Sequence, residues 1–235
     1  IIMSKYIRPI CIIPARGDSK RIKNKNIKFF FGKPLIGHAI KLAKKTKIFS
    51  RVIVSTDSSK IAKIAKKFGA EVPFLRDQKL SNDKVNVPEV LFDCIKRIST
   101  EKISEHFCIY PTSPLLRKKD IIEAYKKFKR KKADGLVAVS DYDFPPVRAF
   151  KVINGERIKY KWPKFSSKRS QDLERLLHDT GTFYIFKTRF FLKTKTIFGN
   201  NTCYYFMDRL NSIDIDNPED FEIAKIFYKH RKLKK

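Results

Sequence analysis

The stretch CIIPARGDSKRIKNKN, residues 11–26, sets Arg16, Lys20, Arg21, Lys23 and Lys25 on one turn directly after a short apolar run. Gly17, Ser19, Asn24 and Asn26 stand between them, residues that turn tightly or donate hydrogen bonds. Such a loop suits a polyanion. Arg presents a planar fork and Lys a point charge, and together they neutralise a triphosphate and a departing pyrophosphate. The glycine spacings G-x-x-x-x-G-K-[ST] and G-x-G-x-x-G are both absent, which argues against a P-loop NTPase and a nicotinamide dehydrogenase. Phosphate binding is therefore expected to rest on side-chain cations, the competing reading being a basic surface loop with nothing bound.

A second chemical signal is IDID, residues 213–216. In a strand, Asp214 and Asp216 at i and i+2 share a face and converge on one Mg²⁺, with phosphate oxygens and waters completing its shell. Asp216 beside Asn217 also reads as a helix-start residue. Asp57 in STD could hold ribose or a second metal, or cap a helix, and Asp83 in LSND is similarly open.

These groups need elements to hold them. Apolar runs at 10–14, 51–56, 70–75, 106–111 and 133–140 read as strands, and amphipathic stretches at 34–46, 59–69 (capped by Asp57 or Ser58), 88–98 and 119–131 read as helices between them. Strand and helix alternating at this pitch predict an α/β fold, a mostly parallel Rossmann-like sheet with helices on both faces. Right-handed crossovers would then bring every strand's carboxyl end to one edge, where the loop after the first strand is the usual phosphate site. From Phe144 to Gly181 the rhythm changes to Pro, aromatics and an Asn-Gly hairpin signal, so residues 144–181 are expected to form an extended arm inserted in a single domain spanning 1–235. Strands at 182–187 and 203–207 follow. The last helix starts with Asn217 as cap and Pro218 at its first position, and the basic tail HRKLKK is expected to fray.

Composition narrows the classes. With 42% hydrophobic residues, 20 of the side chains being Phe, a chain of 235 residues builds a real core. Lys and Arg total 53 against 24 Asp and Glu, a net charge of +29, which taken alone suggests nucleic acid, an anionic membrane or a phosphorylated substrate. The lysines are scattered along helix faces, as a solvated surface explains, and no RNA-binding motif with stacking aromatics occurs, so no nucleic-acid partner is expected. Four separated cysteines without zinc-ligand spacing read as reduced thiols of a cytoplasmic protein. Neither a signal peptide nor a bilayer-spanning run is recognised, and Met3 reads as the start.

IIPARGDSKRIKNKNI with GKPLI, RVIVSTD, GAEVPFLR followed by LSND, YPTSPLLR, RSQDLERLLHDTGTFYIF and IDIDNPEDF stand in the order seen in the CMP-sialic acid synthetases, or acylneuraminate cytidylyltransferases, and the chain resembles that family over nearly its whole length. PFLR and RSQDLE…HDTGTFY resemble most the members that act on pseudaminic acid. The resemblance implies transfer of CMP from CTP to a nonulosonic acid, with Mg²⁺ as cofactor and pyrophosphate as product. It implies Arg16, Lys20 and Lys25 at the triphosphate and in catalysis, with Ala15, Arg16, Ser19, Lys20, Asn26 and Arg76 around CTP, Arg76 reading the base. Tyr110, Arg169, Gln171, His178 and Asp179 are expected to face the sugar acid, and Asp214 and Asp216 to hold the metal. His178 is a candidate base and also reads as structural. Tyr110 precedes PTSP where sialic acid synthetases carry Gln, which favours a differently substituted sugar over N-acetylneuraminate; legionaminate and 3-deoxy-manno-octulosonate remain alternative acceptors. The family's dimers imply a homodimer through the 144–162 part of the arm.

Overall fold

Side-chain alternation builds the centre of the molecule. The computed structural model describes residues 8–98 and 103–233, so the expected start at Met3 falls outside the described residues. Strand β1 (Ile10–Pro14) sends Cys11 and Ile13 into one core and Ile10 and Ile12 into another, which only a strand covered on both faces does. After it come the short pair β2 (Phe29–Phe30) and β3 (Lys33–Pro34), then α1 (Leu35–Thr46), β4 (Arg51–Ser55), α2 (Ser59–Lys67), α3 (Val87–Arg97), β5 (Glu105–Ile109), α4 (Lys118–Lys131) and β6 (Gly135–Asp141). The hairpin β7 (Phe150–Val152) and β8 (Ile158–Tyr160) follows, then β9 (Leu177–Lys187), α5 (Thr188–Thr194), β10 (Thr202–Phe206) and α6 (Pro218–Leu233).

The main sheet runs β10-β6-β9-β5-β1-β4. Pairings β10/β6, β1/β4 and β1/β5 are parallel, whereas β9 is antiparallel to both of its neighbours. The sheet is thus mostly parallel, as expected, but β9 delivers its amino end to the edge where the other strands deliver their carboxyl ends. Ile40, Ile61 and Phe128, from α1, α2 and α4, pack on one face; Leu91 and Phe191, from α3 and α5, pack on the other. A third cluster joins α6 to the β2/β3 turn through Phe30, Phe221 and Ala224.

Local departures from the expected elements have physical causes. Residues 70–75 make only isolated bridges, Ile53 with Glu71 and Thr56 with Leu75, because Pro73 removes a ladder donor there. Of the two expected caps of α2, Asp57 and Ser58, it is Ser58 that accepts from Ile61 N–H. The residues 177–181, expected in the arm, belong to β9, where Thr180 donates its hydroxyl to the Ala138 carbonyl and a bulge lies opposite Val137–Val139. Helix α5 was not foreseen, being too short for periodicity to register. The tail expected to fray is helical to Leu233, held by Arg231 donating to the Leu115 carbonyl at 2.6 Å. The Asn-Gly hairpin is present, and it stands apart from the main sheet with Phe144, Val152 and Ile158 exposed. No helix among the described residues is long and apolar enough to cross a membrane.

One core group carries a pH prediction. His106 on β5 is buried with Nδ1 2.8 Å from Thr188 Oγ1, Nε2 has no partner, and burial pushes its pKa down to about 3. The unfolded chain takes up a proton near pH 6.5 that the fold refuses, so stability falls as pH drops below that value. In urea melts from pH 7 to pH 4, His106→Gln is expected to gain on the wild type by up to about 1.4 kcal/mol per pH unit; parallel curves would exclude His106 as the cause.

Candidate active site

The loop after β1 is tied at both ends. Ala15 is buried and donates its N–H to Ser55 O, while buried Asn26 donates Nδ2–H to Arg16 O at 2.9 Å. Asn24 adopts a left-handed conformation, φ 54°, and turns the chain into a single 3-10 turn that carries Lys25 inward. Lys25 Nζ donates to Ile215 O at 2.9 Å and to Asp216 Oδ1 at 2.8 Å. Arg21 reaches the same carboxylate at 3.0 Å. Across the opening, Asp83 accepts from Arg16 and Lys20, each at 2.5 Å. Hydrogen bonds from these two cations hold its carboxyl below the usual range. Asp18 is exposed at the rim.

These walls enclose a cavity of about 590 Å³, lined by Arg16, Ser19, Lys20, Arg21, Lys25, Asn26 and Arg76 and by Tyr110, Thr112, Asp214 and Asp216. Leu80, Val85, Val87 and Val90 form an apolar wall beside Arg76. Arg76 is 3% exposed; burial lowers its pKa, countered by the charge of Asp57, and its Nε donates to Ser81 Oγ at 3.1 Å.

The 213–216 segment belongs to no strand or helix, so the expected strand is not there. The shared face survives nonetheless: Ile215 is fully buried, its N–H donates to Thr112 O, and Asp214 and Asp216 on either side both line the cavity. Burial pushes the Asp214 carboxyl up to about 6, and its Oδ1 is buried without a hydrogen-bond partner. Asp216 lies below the usual range because Lys25 and Arg21 outweigh its partial burial. No cluster of three or more His, Cys, Asp or Glu occurs among the described residues. Two carboxylates, one with an orphaned oxygen, fit Mg²⁺ that takes its other ligands from phosphate and water.

The residues expected at the sugar divide. Tyr110 lines the cavity, its ring 5.8 Å from that of Tyr184, and Tyr184 donates its hydroxyl to Asp179 Oδ2 at 2.6 Å. Asp179 also accepts the Gly181 N–H at 2.9 Å, which leaves both its oxygens bonded within β9. His178 lies outside the cavity lining with Nδ1 2.8 Å from Asp179 O. Arg169 and Gln171 sit on an exposed 3-10 turn, Arg169 paired with Asp172 at 2.8 Å. Thr112, Tyr184 and Gly181 were not singled out as site residues. Gly181 is placed at φ +60°, where a Cβ would lie 2.9 Å from Asp214 Oδ2, so only glycine lets β9 approach that carboxylate.

The cations of the first loop thus stand beyond the carboxyl end of the first strand, the edge where sheets of this kind bind their ligands. The chain belongs to the cytidylyltransferase family, which matches residues 10–234. It is 38% identical over 225 residues, 95% of this chain and 97% of the relative, to a pseudaminic acid cytidylyltransferase of Campylobacter jejuni subsp. jejuni serotype O:2. It is 33% identical over 223 residues to an N-acylneuraminate cytidylyltransferase of Escherichia coli O18:K1:H7, covering 92% of this chain and 51% of that one. A solved structure of CMP:2-keto-3-deoxy-manno-octonic acid synthetase complexed with CTP shares the fold, with TM-score 0.70 at 16% identity over 95% of this chain and 99% of its own.

Proposed function

We propose that this cytidylyltransferase transfers CMP from CTP to the anomeric hydroxyl of a nonulosonic acid, pseudaminic acid, releasing pyrophosphate. The carrying observation is the single cavity in which the cations of the first loop face Asp214 and Asp216 beside an apolar wall with a buried arginine. The high coverage of the Campylobacter relative supports the choice of acceptor.

In this reading the cytosine packs on Leu80, Val85 and Val87, and Arg76 donates to its carbonyl and ring nitrogen. Arg16 and Lys20 exchange Asp83 for the β- and γ-phosphates. Lys25, already fixed by Ile215 O and Asp216, meets the charge that grows on the bridging oxygen as the bond from the α-phosphorus to pyrophosphate breaks. Asn26 keeps the loop closed through Arg16 O. Asp214 and Asp216 hold Mg²⁺, which when bound polarises the α-phosphate as a Lewis acid. The sugar acid enters beside Tyr110, where Tyr184 and Asp179 fix the shape of the wall. The exposed apolar residues of the 144–162 segment support a homodimer, and the reaction belongs in the cytoplasm, where CTP is available.

Pyrophosphate release from CTP and Mg²⁺ is to be measured with pseudaminic, legionaminic and N-acetylneuraminic acids offered separately. Release with pseudaminic acid alone is expected. Release with another acid alone would refute the acceptor, and no CTP binding at all would refute the reading as a whole.

A further inference from the structure

Asp57 follows β4 at the edge where the cavity opens, yet it does not line the cavity. Its side chain is 11% exposed, and its Oδ1 makes contacts in two directions. Gly17 N–H donates to it at 2.8 Å, and the Arg76 guanidinium stands 3.7 Å away, a charge contact too long for a hydrogen bond. The backbone repeats the link: Thr56 O accepts the Arg76 N–H at 2.8 Å, and Gly17 lies so close that a Cβ there would meet Ser58 Cβ at 2.9 Å. The cap of α2 is supplied by Ser58, so Asp57 is not needed for it.

We infer that Asp57 is a positioning residue that joins the phosphate loop, through Gly17, to the base-facing Arg76, so that one half-buried carboxylate sets the spacing between the two ends of the nucleotide site. This rests on the proposed CTP site. Asp57 lies outside the cavity lining, so the structure does not bring it to a ribose or a metal held there, the roles its place in the sequence left open. The arrangement makes base recognition and phosphate binding depend on one another. With the counter-charge removed, Arg76 keeps its hydrogen bond to the neutral Ser81 hydroxyl but loses the facing carboxylate, and lies less firmly fixed against the base.

Asp57→Asn keeps an oxygen for Gly17 and removes the charge facing Arg76. The expected result, by calorimetry on the folded variant, is a fall of about tenfold in the preference for CTP over UTP, with pyrophosphate affinity within about twofold of wild type. Gly17→Ala attacks the other side, pushing the loop off Ser58 while leaving both charges, and is expected to weaken pyrophosphate and also to blunt the CTP preference. It serves equally if Asp57→Asn does not fold. A melting temperature lowered with both the CTP/UTP ratio and pyrophosphate affinity unchanged would reduce Asp57 to a structural residue and overturn the inference. So would a Gly17→Ala protein that loses pyrophosphate alone. Wild-type protein that binds pyrophosphate but does not discriminate between CTP and UTP would refute the base site itself, a separate outcome.

Discussion

Lys25→Ala is expected to lower kcat for pyrophosphate release by about 10²–10³-fold, the loss seen when one preorganised charge-stabilising donor is removed. The ammonium is 15% exposed and held by two oxygens, so it needs no reorganisation when charge develops on the leaving group. Arg16 and Lys20 remain to bind the ground-state triphosphate, so KM for CTP should move less than kcat. Lys25→Arg should not rescue: a planar guanidinium does not reproduce a point charge seated between the Ile215 carbonyl and Asp216. Steady-state kinetics at saturating Mg²⁺ decide it. A kcat within threefold of wild type would take Lys25 out of the catalytic machinery.

Asp214→Asn is expected to raise the Mg²⁺ concentration for half-maximal activity by one to two orders of magnitude while making the metal-free protein more stable. The second half follows from burial. A carboxyl whose folded pKa is raised to about 6 is disfavoured as the anion in the fold, so its penalty is absent below the unfolded value near 3.8, grows between the two, and is complete above pH 6. Removing the charge should therefore stabilise the protein at pH 8 by on the order of 2–3 kcal/mol and change little at pH 3.5. Melting curves without metal at the two pH values measure this, and Mn²⁺ binding followed by electron paramagnetic resonance measures the metal arm without turnover. A variant that is destabilised at pH 8 and binds Mn²⁺ as wild type would make Asp214 an ordinary structural carboxylate.

How much of this was legible before the chain was folded differs by residue. Four of the five alternating strands and all four helices were visible because a period of 2 or 3.6 is set by neighbours a few residues away; the fifth, 70–75, made only isolated bridges. β9 was half hidden. Its second half, TFYIFK, reads as a strand, but His178, Asp179 and Thr180 do not; in the fold Thr180 donates to Ala138 O and Asp179 accepts from Gly181 N–H and Tyr184 hydroxyl. Its antiparallel direction was equally invisible, because a strand's own residues do not record which way its partners run.

The candidate site divides along the same line. The cation loop and the Asp214–Asp216 pair could be named from residue types and spacing, because phosphate and metal chemistry dictates which side chains are useful, whereas Arg76 came only with the family resemblance. Which carboxylate faces which cation could not be read. Asp83 meets Arg16 across 67 residues and Asp216 meets Lys25 across 191, and Asp57 turned out to hold Gly17 across 40. The sequence by itself determined the class of fold, the cations gathered on the first loop and the family. The tertiary structure alone decided the strand order, the glycine that lets β9 touch Asp214, and the charge pairs that hold the cavity, since periodicity and residue chemistry are local whereas a charge pair exists only after distant segments have been brought within a few ångströms.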